Sequence, residues 1–203
     1  QMKAMGTSQI ASLTKLQMPV FSGEQLVAID SSDMASLSTA AVAGITGGQI
    51  AQLSTAQLSR LTGTQIAAIA TTSIDDLTAE QVLGLSSAQV SSLTASQIAA
   101  LTAVQVRALD PAQDIAALGT AGLKAMTSVQ IGALTSAEAV QISVAQIAQI
   151  SADNLSNMAV DAASSLSTSA VRAINATQLA KLSTDQIAGL STQQVAAIAT
   201  DVI

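Results

Sequence analysis

Leu93-Thr94-Ala95-Ser96-Gln97-Ile98-Ala99-Ala100 is followed at once by Leu101-Thr102-Ala103-Val104-Gln105-Val106-Arg107-Ala108, which repeats its pattern of Leu, Thr, Ala, Gln, Ile or Val, and a closing Ala at the same places. The unit is an octad. Lettered a to h, it has a large apolar residue at a, Ser or Thr at b, Gln at e and Ile, Val or Leu at f, with small or polar residues elsewhere. Toward the N-terminus the a position continues through Leu85, Leu77, Ile69, Leu61, Leu53, Ile45, Leu37, Ile29, Phe21, Leu13 and Met5. Beyond Leu109 one residue is inserted near Asp114. The series then resumes at Leu118, Met126, Leu134, Ile142, Ile150, Met158, Leu166, Ile174, Leu182, Leu190 and Ile198. No a position is polar. A fixed period makes each unit contact chiefly its neighbours, so residues 1–203 are expected to form a single octad-repeat solenoid, irregular over about 1–28.

Two simple readings of the octad fail. From a to f is five residues and from f to the next a is three, so in a strand the two apolar positions point to opposite faces. In one unbroken helix eight residues advance by about 800°, and the apolar stripe drifts by about 80° per octad until it wraps the cylinder. One short helix per octad remains. Position b carries helix N-cap residues, among them Thr46, Ser54, Thr62, Thr78, Ser86, Thr94, Thr102, Asp110, Thr127, Ser143, Asn175, Ser183 and Ser191. Gln follows three residues later, as at Gln49, Gln57, Gln65, Gln81, Gln89, Gln97, Gln105, Gln130, Gln146, Gln178, Gln186 and Gln194, which completes a capping box. The apolar a residue before the cap and the apolar f residue four after it have the spacing of a hydrophobic staple. Pro111 directly follows the cap Asp110, where its missing N–H costs nothing.

The charges agree without reference to the apolar pattern. Acids gather at d, in the first turn (Glu24, Glu80, Asp153, Asp161, Asp185, Asp201). Bases gather at g and h, in the last (Arg60, Arg107, Lys124, Arg172, Lys181). That polarity suits a helix dipole restarted every eight residues.

Each helix should run from about c to the next a, roughly seven residues or about 10 Å. The chain then turns by a similar angle at every cap. The expected fold is all-α: a solenoid of short two-turn helices, three or four per superhelical turn, with a and f inside and c, d and h mostly outside. Small g and h residues such as Ala67-Ala68, Ala99-Ala100 and Ala196-Ala197 let successive coils approach. Antiparallel helix pairs need longer connections.

Departures mark irregular places. Pro19 at g clashes with a helix interior, so its octad, with Lys15 and Phe21 nearby, should be a distorted end. Asp114 adds a ninth residue, to be absorbed as a local bulge. Ala70, Ala159 and Ala199 offer no capping side chain, and those junctions should be weaker by about 1 kcal/mol each. The opening Gln1-Met2-Lys3-Ala4 precedes the first octad.

Composition narrows the function. Nearly half of the residues are apolar, but Trp, Tyr, Cys and His are absent and Phe21 is the single aromatic, so the core is built from Leu, Ile, Val, Met and Ala. The net charge of -6 and the few Lys and Arg argue against nucleic acid as a partner. Without Cys there is no disulfide framework and no thiolate metal site. No apolar run reaches the roughly 20 residues of a membrane span, and none has the pattern of a secretory leader. The close acid pairs, Asp30/Asp33 and Asp75-Asp76, lack the oxygen ligands and loop of a calcium site and read as capping or solvated corners. With no His, no Cys and no Ser-x-x-Lys, no Ser or Thr has an activating base. Gly47-Gly48 has no Lys beside it and is no phosphate loop. The Gln series reads as capping, with room for stacking between coils. No catalytic, cofactor-binding or metal-binding residue is expected.

Asp110-Pro111-Ala112-Gln113 and Ser191-Thr192-Gln193-Gln194-Val195-Ala196-Ala197-Ile198-Ala199 resemble the opening helix of transcription activator-like effector repeats, Leu-Thr-Pro-x-Gln-Val-Val-Ala-Ile-Ala-Ser. The likeness stops after one helix, and that family's longer period, base-reading loop and regular basic residues do not occur, so DNA binding does not carry over. The whole array more closely resembles the Ala/Ser/Thr/Gln-rich Leu-Thr-x-x-Gln-Ile-Ala-Ala tandem repeats of very large bacterial proteins, often secreted or surface-exposed. The resemblance implies a rod-like stalk or spacer, as in an adhesin stalk, placed outside the cell or on its surface. Its expected partners are neighbouring repeats of the parent protein, with no membrane insertion and no enzymatic activity. The alternatives are a repetitive Ser/Thr/Ala surface that binds a glycan or ice, and a subunit that stacks head to tail into a filament.

Overall fold

In the computed structural model, residues 2–198 are described; Ala199 and Asp201, expected above as an uncapped junction and a first-turn acid, lie outside them. Each octad from Gly6 onward contributes one short helix, and no strand occurs among the described residues. The α-helices run from four residues, as in Thr39–Val42, to seven in Gly119–Ala125.

Octad 93–100 shows why the chain breaks every eight residues. Thr94 is extended (φ -72°, ψ 159°), and its hydroxyl accepts the Gln97 N–H at 3.2 Å. The Gln97 side-chain carbonyl accepts the Thr94 N–H at 2.9 Å, so two amides with no intrahelical acceptor are satisfied reciprocally. At the other end Leu101 is also extended (φ -58°, ψ 138°), and its N–H closes on the Ile98 carbonyl. Two extended residues, a and b, therefore separate these helices, where the sequence pattern anticipates the cap alone. The helix Ala95–Ala100 is correspondingly shorter than the seven residues expected. Extension at a serves two ends: the Leu101 side chain is buried at 6% exposure, and its carbonyl is released from the helix.

The chain divides into two compact units, Gln1–Leu101 and Thr102–Ile203. The boundary interrupts neither the octad count nor the capping pattern, so it coincides with no linker in the sequence.

In the first unit, helices three octads apart pack on one another: Thr39–Val42 on Gly63–Ala68, and Gly63–Ala68 on Ser87–Ser91. The f and a side chains Ile50, Leu53, Leu58, Leu61, Ile66 and Ile69 fill the interior at 0–4% exposure. The outside is fitted by pairing c with the h residue three octads later. A Cβ on Gly23, Gly47 or Gly63, all at c, runs into Gln52, Asp76 or Ser92, all at h. Conversely, Gly84 at h lies over Thr55 at c, and Gly44 at h over the main chain of Lys15. At Gly23, Gly47 and Gly63 the coils are too close for a second side chain as the partner now stands, whereas Gly84 leaves Thr55 at ordinary contact distance. Residues 14–21 form no α-helix, as Pro19 demands; the proline sits in the first turn of the 3-10 helix Met18–Val20, where its lack of an N–H is harmless. Two further octads tighten to 3-10 geometry. Asp30 caps Ser32 instead of the residue at e, giving Ser31–Ser36, and Ala70, which cannot cap, precedes Thr71–Ser73.

In the second unit the same register joins Ala103–Arg107 to Ser128–Ala133, Ser136–Ala139 to Val160–Ser164, and Thr168–Arg172 to Thr192–Ala197. Ile131, Leu134, Ile147, Ile150 and Leu155 are buried at 0–2%. Gly189 at h lies over Val160 at c, repeating the fit of the first unit. The first-turn acid Asp153 and Lys181, which lies past the end of the helix Ala176–Leu179 and not in its last turn as expected, meet across coils at 3.1 Å, both well exposed. Pro111 does not open a helix as its place after Asp110 suggests. The inserted residue lengthens the cap into a turn over 111–113, and the helix Asp114–Ala117 begins only afterwards. Asp114 then accepts the Asp110 N–H at 2.9 Å, doing from four residues away what Gln does elsewhere from three. The next corner is turned by Gly119 at φ +62°, the one left-handed residue among those described, in a region glycine enters without steric cost.

Candidate functional site

The most regular constellation of polar side chains is a ladder of buried glutamines. Each uses its oxygen in the capping box, which leaves the amide NH2 to be satisfied. Gln57 donates to the carbonyls of Leu26 at 3.0 Å and Ile29 at 2.9 Å, the f and a residues 31 and 28 positions earlier. Gln81 donates at the same separations to Ile50 (2.8 Å) and Leu53 (2.6 Å), and Gln97 to Ile66 and Ile69 (both 2.9 Å). In the second unit Gln178 donates to Ile147 (2.9 Å) and Ile150 (2.7 Å), and Gln186 to Leu155 (3.2 Å) and Met158 (2.7 Å). These five glutamines are 1–3% exposed. A glutamine amide has two N–H donors and a carbonyl acceptor, and here all three functions are used. At Ile69 (φ -56°, ψ 131°) it is the extended a residue that frees the second acceptor. A helix that carries such a glutamine is thus tied to a helix three octads away by packing and to the end of one four octads away by its amide. Three or four helices per turn, expected from the sequence, is the spacing this register keeps within each unit.

Substitutions at e report on the ladder. Asn154 is one methylene short: it reaches the Met126 carbonyl at 2.8 Å and closes no capping box. Ser73 reaches only Ile45, at 3.4 Å. Glu138 closes the box with Thr135, whose N–H and hydroxyl bond its Oε2 at 2.7 and 2.8 Å. Its Oε1 is buried and has no hydrogen-bond partner. Burial raises the Glu138 pKa above the usual carboxylate range; the two bonds from Thr135 and the charge of Arg107 pull the other way.

The remaining acids have local work. Asp30 accepts the N–H and hydroxyl of Ser32, first the amide, which lowers its pKa. Asp33 accepts the Thr7 hydroxyl at 2.7 Å across coils. Asp76 lies over Gly47 at the start of the helix Gly47–Ile50, a favourable place for a carboxylate. Among the described residues no three His, Cys, Asp or Glu side chains are grouped to hold a metal ion, and no helix is long and apolar enough to cross a membrane. An open depression of about 350 Å³ lies beside the distorted octad, lined by Lys15, Leu16, Pro19, Gly44, Thr46 and Thr72 among others. Lys15 is its one charged side chain, and no acid, base or nucleophile pair converges there.

Fold and ladder together define a repeat protein of short, in-register helices. Residues 112–143 match the family model of the ALTTAQ repeat, consistent with a repeat region of a larger protein. The matched stretch holds Asp114, Gly119 and Glu138. No curated protein matches the chain.

Proposed function

We propose that the chain is a spacer: a rod-like stalk segment of a larger bacterial surface or secreted protein, whose biochemical role is length and regular spacing. The observation that carries this reading is the glutamine ladder. The buried polar groups of a regular octad are spent on the neighbouring coil, and each added octad brings both the donors and the acceptors that the next coil needs. Such a unit extends without limit and without new chemistry, which suits a spacer; the extracellular placement rests on the resemblance to repeats of surface and secreted proteins. Small-angle scattering on chains lengthened or shortened by whole blocks of four octads tests it. The maximum dimension should grow linearly with block number at constant cross-section; a compact particle whose radius grows with the cube root of mass overturns it.

A second reading is head-to-tail assembly, in which the last octads of one copy meet the first octads of another. The amide groups of Gln9, Gln17 and Gln25 have no acceptor among the described residues, although their carbonyls accept the cap N–H. At the other edge Ile187 and Val195, both at f, are 37% and 48% exposed, against 3% for Ile98. Further octads of the parent protein, or a second copy, complete both edges in the same register. Filaments in electron micrographs at rising concentration, abolished by Gln9→Ala with Gln17→Ala, distinguish the copy from the continuation.

A further inference from the structure

Glu138 occupies a place where its neighbours in the ladder carry an NH2. Counted through the inserted residue, the carbonyls that the ladder register sets opposite it are those of Val106 and Leu109. Two carbonyl oxygens repel a carboxylate and attract an O–H. We infer that Glu138 is held as the neutral acid, its carboxyl O–H standing in for the glutamine amide toward a main-chain carbonyl of the preceding coil, so that octad 134–141 is a joint that a proton closes.

Three observations converge on this. The residue is 1% exposed, so water cannot solvate the charge. Oε2 is already committed to Thr135, leaving Oε1 as the unpartnered atom and the natural proton carrier. The local charges do not substitute for the proton. Arg107, on the helix Ala103–Arg107, attracts the carboxylate, but its Nε donates to the Ala133 carbonyl at 3.2 Å. The packed helix Val160–Ser164 presents the exposed acid Asp161, whose main-chain carbonyl accepts the Ser136 hydroxyl. Asp110 and the buried Asp114, at the preceding break, bond to each other there. The helices on either side in sequence, Ser128–Ala133 and Val144–Ile147, carry no charge. The raised pKa has the sign this arrangement requires.

The linkage follows. A group whose pKa is higher folded than unfolded contributes stability that is full below the unfolded value and is lost as pH climbs through the folded one. The joint therefore closes in acid and loosens toward neutral and alkaline pH, whereas a glutamine there is indifferent to pH.

Carbon-13 detected titration of the Glu138 carboxyl in the full chain is the direct test, and a midpoint above the ordinary glutamate range is expected. The paired test follows the urea midpoint of the full chain and of Glu138→Gln between pH 4 and pH 8. The variant should be the more stable at pH 8, and its advantage should shrink toward pH 4. A Glu138 midpoint within the ordinary range overturns the inference. So does a difference between the two chains that does not change with pH. Should the variant fail to fold, the carboxyl titration of the parent decides alone.

Discussion

Octads 93–100 and 134–141 both close a capping box and differ in the terminal group of the buried side chain at e. Both have Thr at b, a capping box, and an e side chain 1% exposed. At Gln97 the terminal group is an amide, and it donates to Ile66 and Ile69 at 2.9 Å. At Glu138 it is a carboxyl, and the corresponding oxygen has no partner. The local half of the motif, the box, is indifferent to the exchange because an oxygen suffices there. The long-range half is not, because it needs a hydrogen.

Moving an acid along the octad sharpens that contrast. Ile98→Asp places a carboxylate where no N–H awaits either oxygen, and should cost about 3–5 kcal/mol, as an uncompensated buried charge does. Val104→Asp, at a 63% exposed position, should stay within about 0.5 kcal/mol in the same urea denaturation series. Gln97→Glu falls between. Thr94 still serves one oxygen, and orphaning the partners of the other costs about 1–3 kcal/mol, more at pH 8 than at pH 5. An equal loss at both pH values would break the parallel with Glu138.

The outer fit can be probed against the inner one. Gly44→Ala drives a methyl into the Lys15 main chain and should cost about 1–3 kcal/mol, the usual penalty of overpacking. Gly48→Ala meets nothing within 4 Å and should be neutral or slightly stabilising by thermal denaturation. Thr94→Ala should cost about 1 kcal/mol and Thr94→Gly a few tenths, since glycine is itself a tolerable cap. If glycine proves worse than alanine, the hydroxyl is not acting as a cap. Lys181→Ala, which removes an exposed ion pair with Asp153, should change stability by less than about 1 kcal/mol, less still at high salt.

Much of the corner was legible in the octad itself. The cap at b, the box with e, the staple from a to f and the charge polarity are all contacts within eight residues, so their spacing is written along the chain. The distorted octad at Pro19 and the insertion at Asp114 were legible for the same reason. Three features were not. The glutamines read as capping residues, which describes their oxygen and misses their amide. Nothing within the octads of Gly23, Gly47 and Gly63 tells that Gln52, Asp76 and Ser92 lie over them. Glu138 carries no mark in the octad, since Glu and Gln close a capping box equally well.

What the sequence determined by itself is therefore the repeating unit: a short helix, where it starts, where it stops, and which two positions seek the interior. Those follow from hydrogen bonds and apolar contacts between residues a few positions apart, whose geometry the helix dictates. Only the tertiary structure decided what lies opposite each unit. The separations of 28 and 31 residues between a glutamine and its carbonyls depend on the turn angle summed over several corners, and no single octad encodes that sum. The amide's second role, the pairing of c with h and the missing partner of Glu138 all wait on it, because each is a contact between residues that only the coiling of the chain brings together.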